Sequence, residues 1–123
     1  MINDSIVYKK AYAFSIRIVR AYQYLCSNKK EYVLSKQLLR CGTSIGANIA
    51  EANGAISEND FSAKMSISYK ESLETKYWLS LLKDTEYIKV EEYDRHFKDA
   101  DELAKMLFSI IKKTRITPKT AKC

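Results

Sequence analysis

Three glycines and one proline in 123 residues leave this chain few positions for tight turns. A sandwich or barrel of this size needs turn residues every ~8–12 positions, so an all-β fold is excluded. Hydrophobic residues make up 46% of the chain, which is enough for a single core and excludes a disordered chain. The sequence therefore predicts one all-α domain over residues 1–117, followed by a flexible basic tail over residues 118–123.

Four segments carry apolar residues at alternating spacings of four and three, the period of helices that pack lengthwise on their neighbours. They run from Ser5 to Asn28, from Leu34 to Asn53, from Ser57 to Leu82 and from Tyr93 to Ile111. Ser57 is the predicted N-cap of the third helix, and Asn53-Gly54 is predicted to form a left-handed C-cap of the second helix. Pro118 is expected to end the fourth helix. Short connections favour an antiparallel up-down-up-down four-helix bundle. The alternative is a pair of helical hairpins that complete their core only by association.

Two helices carry more apolar surface than a lone bundle can bury. The apolar face of the first helix extends to about half of its circumference, and the third helix has an apolar run that covers nearly every direction. Burial of this surplus against another copy predicts a homo-oligomer, which we favour over a monomer with snorkelling tyrosines. The predicted interface residues are Tyr8, Tyr12, Val19, Tyr77, Trp78 and Leu81.

The charge balance points to an anionic partner. The chain has 21 lysines and arginines against 15 aspartates and glutamates, a net charge of +6. Basic side chains of the first helix lie within about 100° of one another on a helical wheel, with a tyrosine between them. This pattern predicts salt-sensitive contact with RNA or DNA phosphates, and a solvated charged face is the alternative. The predicted contacts are Lys9, Lys10, Arg17, Arg20 and Tyr24, aided by Lys112, Lys113 and Arg115.

Small and polar residues in the second helix have a packing explanation. Gly42 and Gly46 are expected to let another helix backbone come close. Asn48 lies on the predicted core stripe, so we expect it to hydrogen-bond across the bundle to Ser72, Thr75 or a backbone group.

No catalytic or metal-ligating constellation emerges from the sequence. The only histidine, His96, stands among charged residues and is interpreted as a solvated surface side chain. Glu71 and Glu74 lack the histidines of a di-iron bundle and are expected to pair with Lys70 or Lys76. We therefore predict that the protein is not an enzyme and uses no cofactor or metal.

Cysteine usage and hydropathy bear on location. Cys26, Cys41 and Cys123 contain no Cys-x-x-Cys pair, and the first two fall within helical periodicity, as reduced core thiols would. No stretch approaches the ~20 apolar residues of a membrane span, and the N-terminus lacks a secretory signal. A cytoplasmic protein with no membrane contact is expected.

Two motifs carry a family resemblance. One is Thr43-Ser44-Ile45-Gly46-Ala47-Asn48-Ile49-Ala50-Glu51, and the other is Glu74-Thr75-Lys76-Tyr77-Trp78-Leu79, with Ser57 and Asp60-Phe61 between them. Together they resemble the bacterial four-helix-bundle proteins first noticed as reading frames within 23S ribosomal RNA intervening sequences. The resemblance covers nearly the whole chain. It departs where the family's Ala-Glu-Gly becomes Ala50-Glu51-Ala52-Asn53-Gly54, which places the turn later.

The resemblance implies a four-helix bundle that assembles as a ring, a homopentamer, related to the accessory variability proteins of diversity-generating retroelements. Those relatives are basic rings that contact nucleic acid and a reverse transcriptase. Binding of structured RNA or DNA is therefore our first hypothesis, and a scaffold that docks a protein such as a reverse transcriptase, without direct nucleic-acid contact, is the alternative. The resemblance supplies no catalytic residue, and the motif residues are interpreted as structural: Ser44, Ile45, Asn48, Glu51, Glu74 and Thr75.

Overall fold

Four α-helices account for the fold. The computed structural model describes the backbone of residues 5–122 and the side chains of residues 5–114. The helices are α1 (Ile6–Lys29), α2 (Leu34–Ala52), α3 (Glu58–Asp84) and α4 (Val90–Lys122), joined by short connections. No strand occurs within residues 5–122, and the predicted four-helix bundle is confirmed.

All four helices contribute to one core. Phe14 of α1, Ile45 of α2, Leu79 of α3 and Leu107 of α4 are fully buried. Packing is closest between α2 and α3, and contact between α1 and α4 is the least among neighbouring helices. Because a single chain completes this core, the alternative of hairpins that need association to form a core is wrong.

The glycines of α2 lie where α2 packs against α1. A Cβ atom at Gly42 would stand 2.9 Å from Cγ2 of Ile18, so no larger residue fits there without movement of a buried side chain. At Gly46 a Cβ atom would lie 3.4 Å from Oγ of Ser15 and 3.5 Å from the carbonyl oxygen of Ala11, close to ordinary contact distance. The predicted close approach of a helix backbone is confirmed at Gly46, where backbone atoms of Ala11 lie nearby, whereas the close neighbour of Gly42 is the side chain of Ile18.

The start of α2 depends on Glu31, which the sequence pattern did not identify. Its carboxylate accepts hydrogen bonds from the backbone N–H groups of Val33, Leu34 and Ser35, at 3.2, 3.0 and 2.7 Å. Burial raises the pKa of Glu31, but these N–H donors together outweigh burial and lower the pKa. Sequence rules look for a Ser, Thr, Asp or Asn immediately before the helix, and here a glutamate three residues upstream satisfies the free amides.

The left-handed backbone position is also elsewhere than predicted. Lys30 ends α1 with φ 55°, whereas no described glycine has a positive φ. The interpretation of Asn53-Gly54 as a left-handed cap is therefore wrong. Instead α2 ends in a tight turn, in which the N–H of Gly54 donates to the carbonyl of Glu51 at 3.0 Å. The predicted cap of α3 is confirmed, since Oγ of Ser57 accepts from the N–H of Asp60 at 3.0 Å.

The last helix is longer than its sequence pattern indicated. It continues to Lys122, so the expectation that Pro118 ends it is wrong. A proline removes only one hydrogen bond from a helical ladder, which bends or weakens a helix without always ending it. The flexible tail over residues 118–123 stays a prediction, because the structure describes side chains only up to residue 114.

The two glycines of α2 provide a matched test of the α1–α2 contact. We expect Gly42→Ala to lower the free energy of unfolding by about 1 kcal/mol, because crowding against Ile18 outweighs the better helix propensity of alanine. Gly46→Ala should be neutral or stabilising by up to ~1 kcal/mol. Urea denaturation at one fixed protein concentration, followed by circular dichroism, measures both. Greater stability of Gly42→Ala than of Gly46→Ala would contradict this account of the packing.

Candidate nucleic-acid interface

The predicted basic face lies along the side of α1 that approaches α4. Lys9, Lys10, Arg17, Arg20 and Tyr24 are all exposed, and the side chain of Tyr24 retains 42% of its accessible surface. Their spacing over successive turns of α1 brings them to one side of the helix, away from Phe14 and the core. The structure thus places these residues together.

Acidic residues of α4 neutralise part of this face. Nζ of Lys10 lies 3.4 Å from a carboxylate oxygen of Glu102, and Nη2 of Arg17 lies 2.9 Å from Oδ2 of Asp99. Lys9 and Arg20 form no ion pair with any carboxylate in the part of the chain whose side chains are described. The sequence pattern of α1 could not reveal these partners, because they come from a helix some 80 residues later in the chain and only the bundle brings them close.

The basic residues near the end of α4 lie apart from Tyr24. Lys112 and Lys113 are exposed, and Lys113 borders the connection between α2 and α3 beside Ile56 and Ser57. Tyr24 lies at the opposite end of α4, beside Ile88 and Lys89. Arg115 and the basic tail lie outside the described side chains.

The predicted interface residues form two separate apolar faces. On α1, Tyr12 and Val19 are exposed, Tyr8 is half-buried, and exposed Ile16 joins them, although the sequence analysis did not include it. On α3 the members are exposed Tyr77 with half-buried Trp78 and Leu81. Because α1 and α3 are not neighbours in the bundle, these faces belong to two helices that do not contact each other.

Asn48 does not make the predicted bond across the bundle. It is half-buried, and its Nδ2 donates to the carbonyl of Ser44, one turn earlier in α2, at 2.8 Å. The cross-bundle hydrogen bond comes from Ser68 of α3, which is fully buried and donates to the carbonyl of Ile45 at 2.8 Å. The prediction for Asn48 is wrong because its side chain follows its own helix, where a carbonyl lies within reach.

The acidic motif residues pair with α2 and not with their own helix. Nη1 of Arg40 lies 3.4 Å from Oε1 of Glu71, and Arg40 also contacts Glu74. Glu74 in turn accepts a hydrogen bond from Nε1 of Trp78 at 3.0 Å. The expectation of Lys70 or Lys76 as partner is wrong, because Glu71 and Glu74 face α2, whereas Lys76 faces α4 and lies 2.8 Å from Asp101.

The other motif residues likewise make contacts within the chain. Glu51 pairs with Lys64 at 2.9 Å, and Oγ of Ser44 donates to the carbonyl of Arg40 at 2.6 Å. Thr75 is buried and donates to the carbonyl of Glu71 at 2.8 Å. These contacts favour the structural interpretation of the motif.

His96 is buried, contrary to the sequence interpretation. Only 8% of its surface is exposed, and its Nδ1 has no hydrogen-bond partner among the described residues. Its Nε2 lies 3.7 Å from Oε2 of Glu92, and burial lowers the pKa of His96. A signal existed in the sequence: His96 precedes Ala100, Leu103 and Leu107 at helical spacing, and all three are buried.

The cysteines carry no sign of reactivity. Burial raises the pKa of the Cys41 thiol to about 11, so the thiol stays protonated near neutral pH. Cys26 is half-buried, and Cys123 lies outside the described residues.

Two further classes of site are missing from the described residues. No group of three or more His, Cys, Asp or Glu side chains among them could hold a metal ion. None of the described helices is both long and apolar enough to cross a bilayer.

Comparison with known proteins identifies the family. The family model for the 23S rRNA-intervening sequence protein matches residues 3–109, which include both sequence motifs. The chain belongs to this family. A crystal structure of an S23 ribosomal protein family member from Bacteroides thetaiotaomicron, described as a protein with unknown function, is 51% identical. It aligns with a TM-score of 0.86 over 87% of this chain and 99% of that chain.

Family membership establishes the fold and leaves the activity open. No curated protein matches this chain. The S23 ribosomal protein family member from Bacteroides thetaiotaomicron is itself described as a protein with unknown function. The relation to accessory variability proteins stays a prediction.

Burial of His96 predicts acid sensitivity of the fold. The pKa of His96 is lowered in the folded state, so the unfolded chain binds a proton more readily. This contribution to stability is complete above the unfolded pKa of about 6.5 and is lost as pH falls through the lower folded pKa. We expect the free energy of unfolding to decrease from pH 7 to pH 5.5, and His96→Gln to lack that decrease. The chain has a single histidine, so His96→Gln isolates the contribution of imidazole titration in this pH window. Equal pH dependence in both proteins would contradict the assignment.

Proposed function

We propose that this is a non-enzymatic, oligomeric helical-bundle protein of the cytoplasm that binds structured RNA, or DNA, through the basic face of α1. One observation carries the proposal. Lys9 and Arg20 are exposed on the same side of α1 as Tyr24, without a carboxylate partner among the described side chains. A free cation beside an exposed aromatic ring can contact a phosphate while a base stacks on the ring.

The paired residues of the face can also contribute. The Lys10 and Arg17 side chains keep 45% of their surface exposed while they pair with Glu102 and Asp99. Exposed ion pairs of this kind are worth only about 0–1 kcal/mol, so a phosphate can replace the carboxylate at small cost. Binding through such contacts releases counterions and weakens steeply as salt rises.

Self-assembly would multiply the basic face. The two apolar faces lie on different, non-neighbouring helices, so a contact between the α1 face of one copy and the α3 face of the next is heterologous. Repetition of such a contact closes into a ring when the rotation permits. We propose a homopentamer, in which each copy presents Lys9 and Arg20 and the copies bind one RNA with combined strength.

A scaffold function is the second candidate. The ion pairs of Lys10 and Arg17 with α4 give this surface mixed charge, which resembles the polar rim of a protein interface more than a uniform phosphate track. The partner would be a protein such as a reverse transcriptase. Retention of a protein partner after nuclease treatment, by wild type and by a variant that no longer binds RNA, would favour this function.

Charge reversal tests the nucleic-acid interface. We expect Lys9→Glu with Arg20→Glu to weaken binding of a fluorescent RNA hairpin by at least ~10-fold at low salt, because two phosphate contacts become repulsive. Fluorescence anisotropy over a salt series should also give a slope of log affinity against log salt that is smaller by about two.

A matched control has the same change in charge elsewhere. Lys36 on α2 and Lys70 on α3 are exposed and lie off the basic face, and Lys36→Glu with Lys70→Glu removes equal positive charge. This control should bind RNA with less than a ~3-fold loss, which counterion theory attributes to net charge alone. Equal losses in the two double variants would refute the assignment of the site to α1.

The two apolar faces can be tested by complementation. Tyr12→Glu should disable the α1 face and Tyr77→Glu the α3 face, because burial of an unpaired charge prevents contact. Both tyrosines are largely exposed, 59% and 60%, so the bundle itself should remain folded. Light scattering should find each variant monomeric and the wild type near five times 14.2 kDa.

The mixture of the two variants distinguishes the type of contact. Each variant keeps one intact face, and a heterologous contact joins the intact α1 face of one to the intact α3 face of the other. The mixture should therefore form a dimer and grow no further. A monomeric wild type would refute the assembly, and failure of the mixture to form a dimer would refute the pairing of α1 with α3.

A further inference from the structure

The least packed part of the bundle is a groove between α1 and α4. It encloses about 640 Å³, within the range of ~300–1,000 Å³ that is typical of small-molecule sites. Half-buried Ala21 and Ile88 give it an apolar floor, which reaches the core at Leu38 of α2 and Leu79 of α3, both fully buried. An apolar floor at a groove that opens to solvent favours a flat, uncharged group as occupant.

The walls of the groove are predominantly cationic. Arg17 and Arg20 line it from α1, and Lys89 and Arg95 from the side of α4, against the two carboxylates of Glu92 and Asp99. Both carboxylates are already paired, Asp99 with Arg17 and Glu92 with Arg95. Arg20 and Lys89 remain without an ion pair among the described side chains, one on each wall. The groove therefore offers two free cations to an anionic group.

Two aromatic side chains complete the groove. Tyr24 stands at its edge with 42% of its surface exposed. His96 lines it while 8% exposed, and the buried Nδ1 of His96 has no partner among the described residues. A buried polar atom without a partner is costly in a folded protein and is common at ligand sites, where a hydrogen-bonding group of the ligand satisfies it. Rotation of the imidazole ring can turn this nitrogen toward the groove.

We propose that the groove between α1 and α4 binds one unpaired nucleotide. The base lies on the apolar floor, stacks against Tyr24 and hydrogen-bonds to His96. The phosphate lies between Arg20 and Lys89. The combination of an apolar floor, an aromatic edge, one unsatisfied polar group and two free cations matches a nucleotide in each part.

The nucleotide has two possible sources, a free mononucleotide or an unpaired residue of an RNA chain. If the source is an RNA chain, the inference rests on the proposed function. The protein should then bind RNA with a bulged or single-stranded base more tightly than a continuous duplex. The neighbouring cleft supports the second source, since it continues from Tyr24 and Lys89 along Lys29 and Lys83 at the end of the bundle. A phosphate of the adjacent nucleotide would meet these lysines, beside the carboxylate of Glu86 that lines the same cleft.

The experiment combines small and large probes. Isothermal titration calorimetry with AMP, UMP and inorganic phosphate tests the groove on the full chain. Anisotropy with a duplex RNA, and with the same duplex carrying one bulged adenosine, tests the chain-bound form. We expect AMP to bind, or the bulged duplex to bind at least ~10-fold more tightly than the continuous one.

Matched variants assign the effect to the groove. Tyr24→Ala should abolish the ~10-fold tighter binding of the bulged duplex over the continuous one. Tyr24→Phe should keep this difference, because stacking needs only the aromatic ring. Tyr32→Ala is the control, since Tyr32 is similarly exposed at 55% but does not line the groove. Lys89→Gln should weaken AMP and the bulged RNA and leave circular dichroism unchanged.

The outcomes separate this inference from the proposed function. One outcome would refute the groove as a nucleotide site: AMP does not bind, both duplexes bind equally, and Tyr24→Ala has no effect. RNA binding through α1 would not be refuted by that outcome. If AMP binds but no RNA does, the groove site stands and the proposed function fails. Binding of inorganic phosphate as tightly as AMP would overturn the role of the base.

Discussion

The close contact of α1 with α2 at Gly42 and Gly46 is the constraint on which the rest of the bundle depends. Without a side chain at Gly46, the backbone of α1 at Ala11 lies close to α2, and Gly42 leaves room for the side chain of Ile18. A helix that leans on one neighbour has less surface to share with the other, and contact of α1 with α4 is correspondingly small. Beyond the shared core, two ion pairs bridge these helices at the surface, Lys10–Glu102 and Arg17–Asp99. One steric condition thus produces both the core on one side of α1 and the charged groove on the other.

The bundle separates its surfaces by helix. The outward side of α1 carries apolar residues such as Tyr12, and the outward side of α3 carries Tyr77, whereas the side of α1 toward α4 carries Arg17 and Arg20. Self-association and ligand binding can therefore operate at the same time, because they need different surfaces. Of the second family motif, Tyr77 and Trp78 belong to the α3 apolar face, and Leu79 lines the groove. Glu74 pairs with Arg40 and so links α3 to α2, whereas Thr75 donates to the carbonyl of Glu71 within α3.

Buried polar side chains differ in whether they have hydrogen-bond partners. Glu31 is nearly buried, but three backbone N–H groups satisfy its carboxylate, and Ser68 donates to a carbonyl across the bundle. His96 is the exception, with a buried nitrogen that has no partner among the described residues. Since such groups cost about 1–3 kcal/mol, one that persists in an otherwise well-satisfied bundle deserves a functional explanation. Its position in the groove beside Tyr24 provides one.

The sequence alone determined the helices, the all-α class and the family, because helical period and motif spacing are local properties that survive without knowledge of neighbours. It also indicated which side of α1 is basic and that Gly42 and Gly46 lie at a close contact. The tertiary structure decided the partners: Asp99 for Arg17, Arg40 for Glu74, and the burial of His96 between helices. It also moved the cap of α2 to Glu31 and the left-handed residue to Lys30. These features depend on which helices become neighbours and at what distance, and that information is held in the packing of the whole chain.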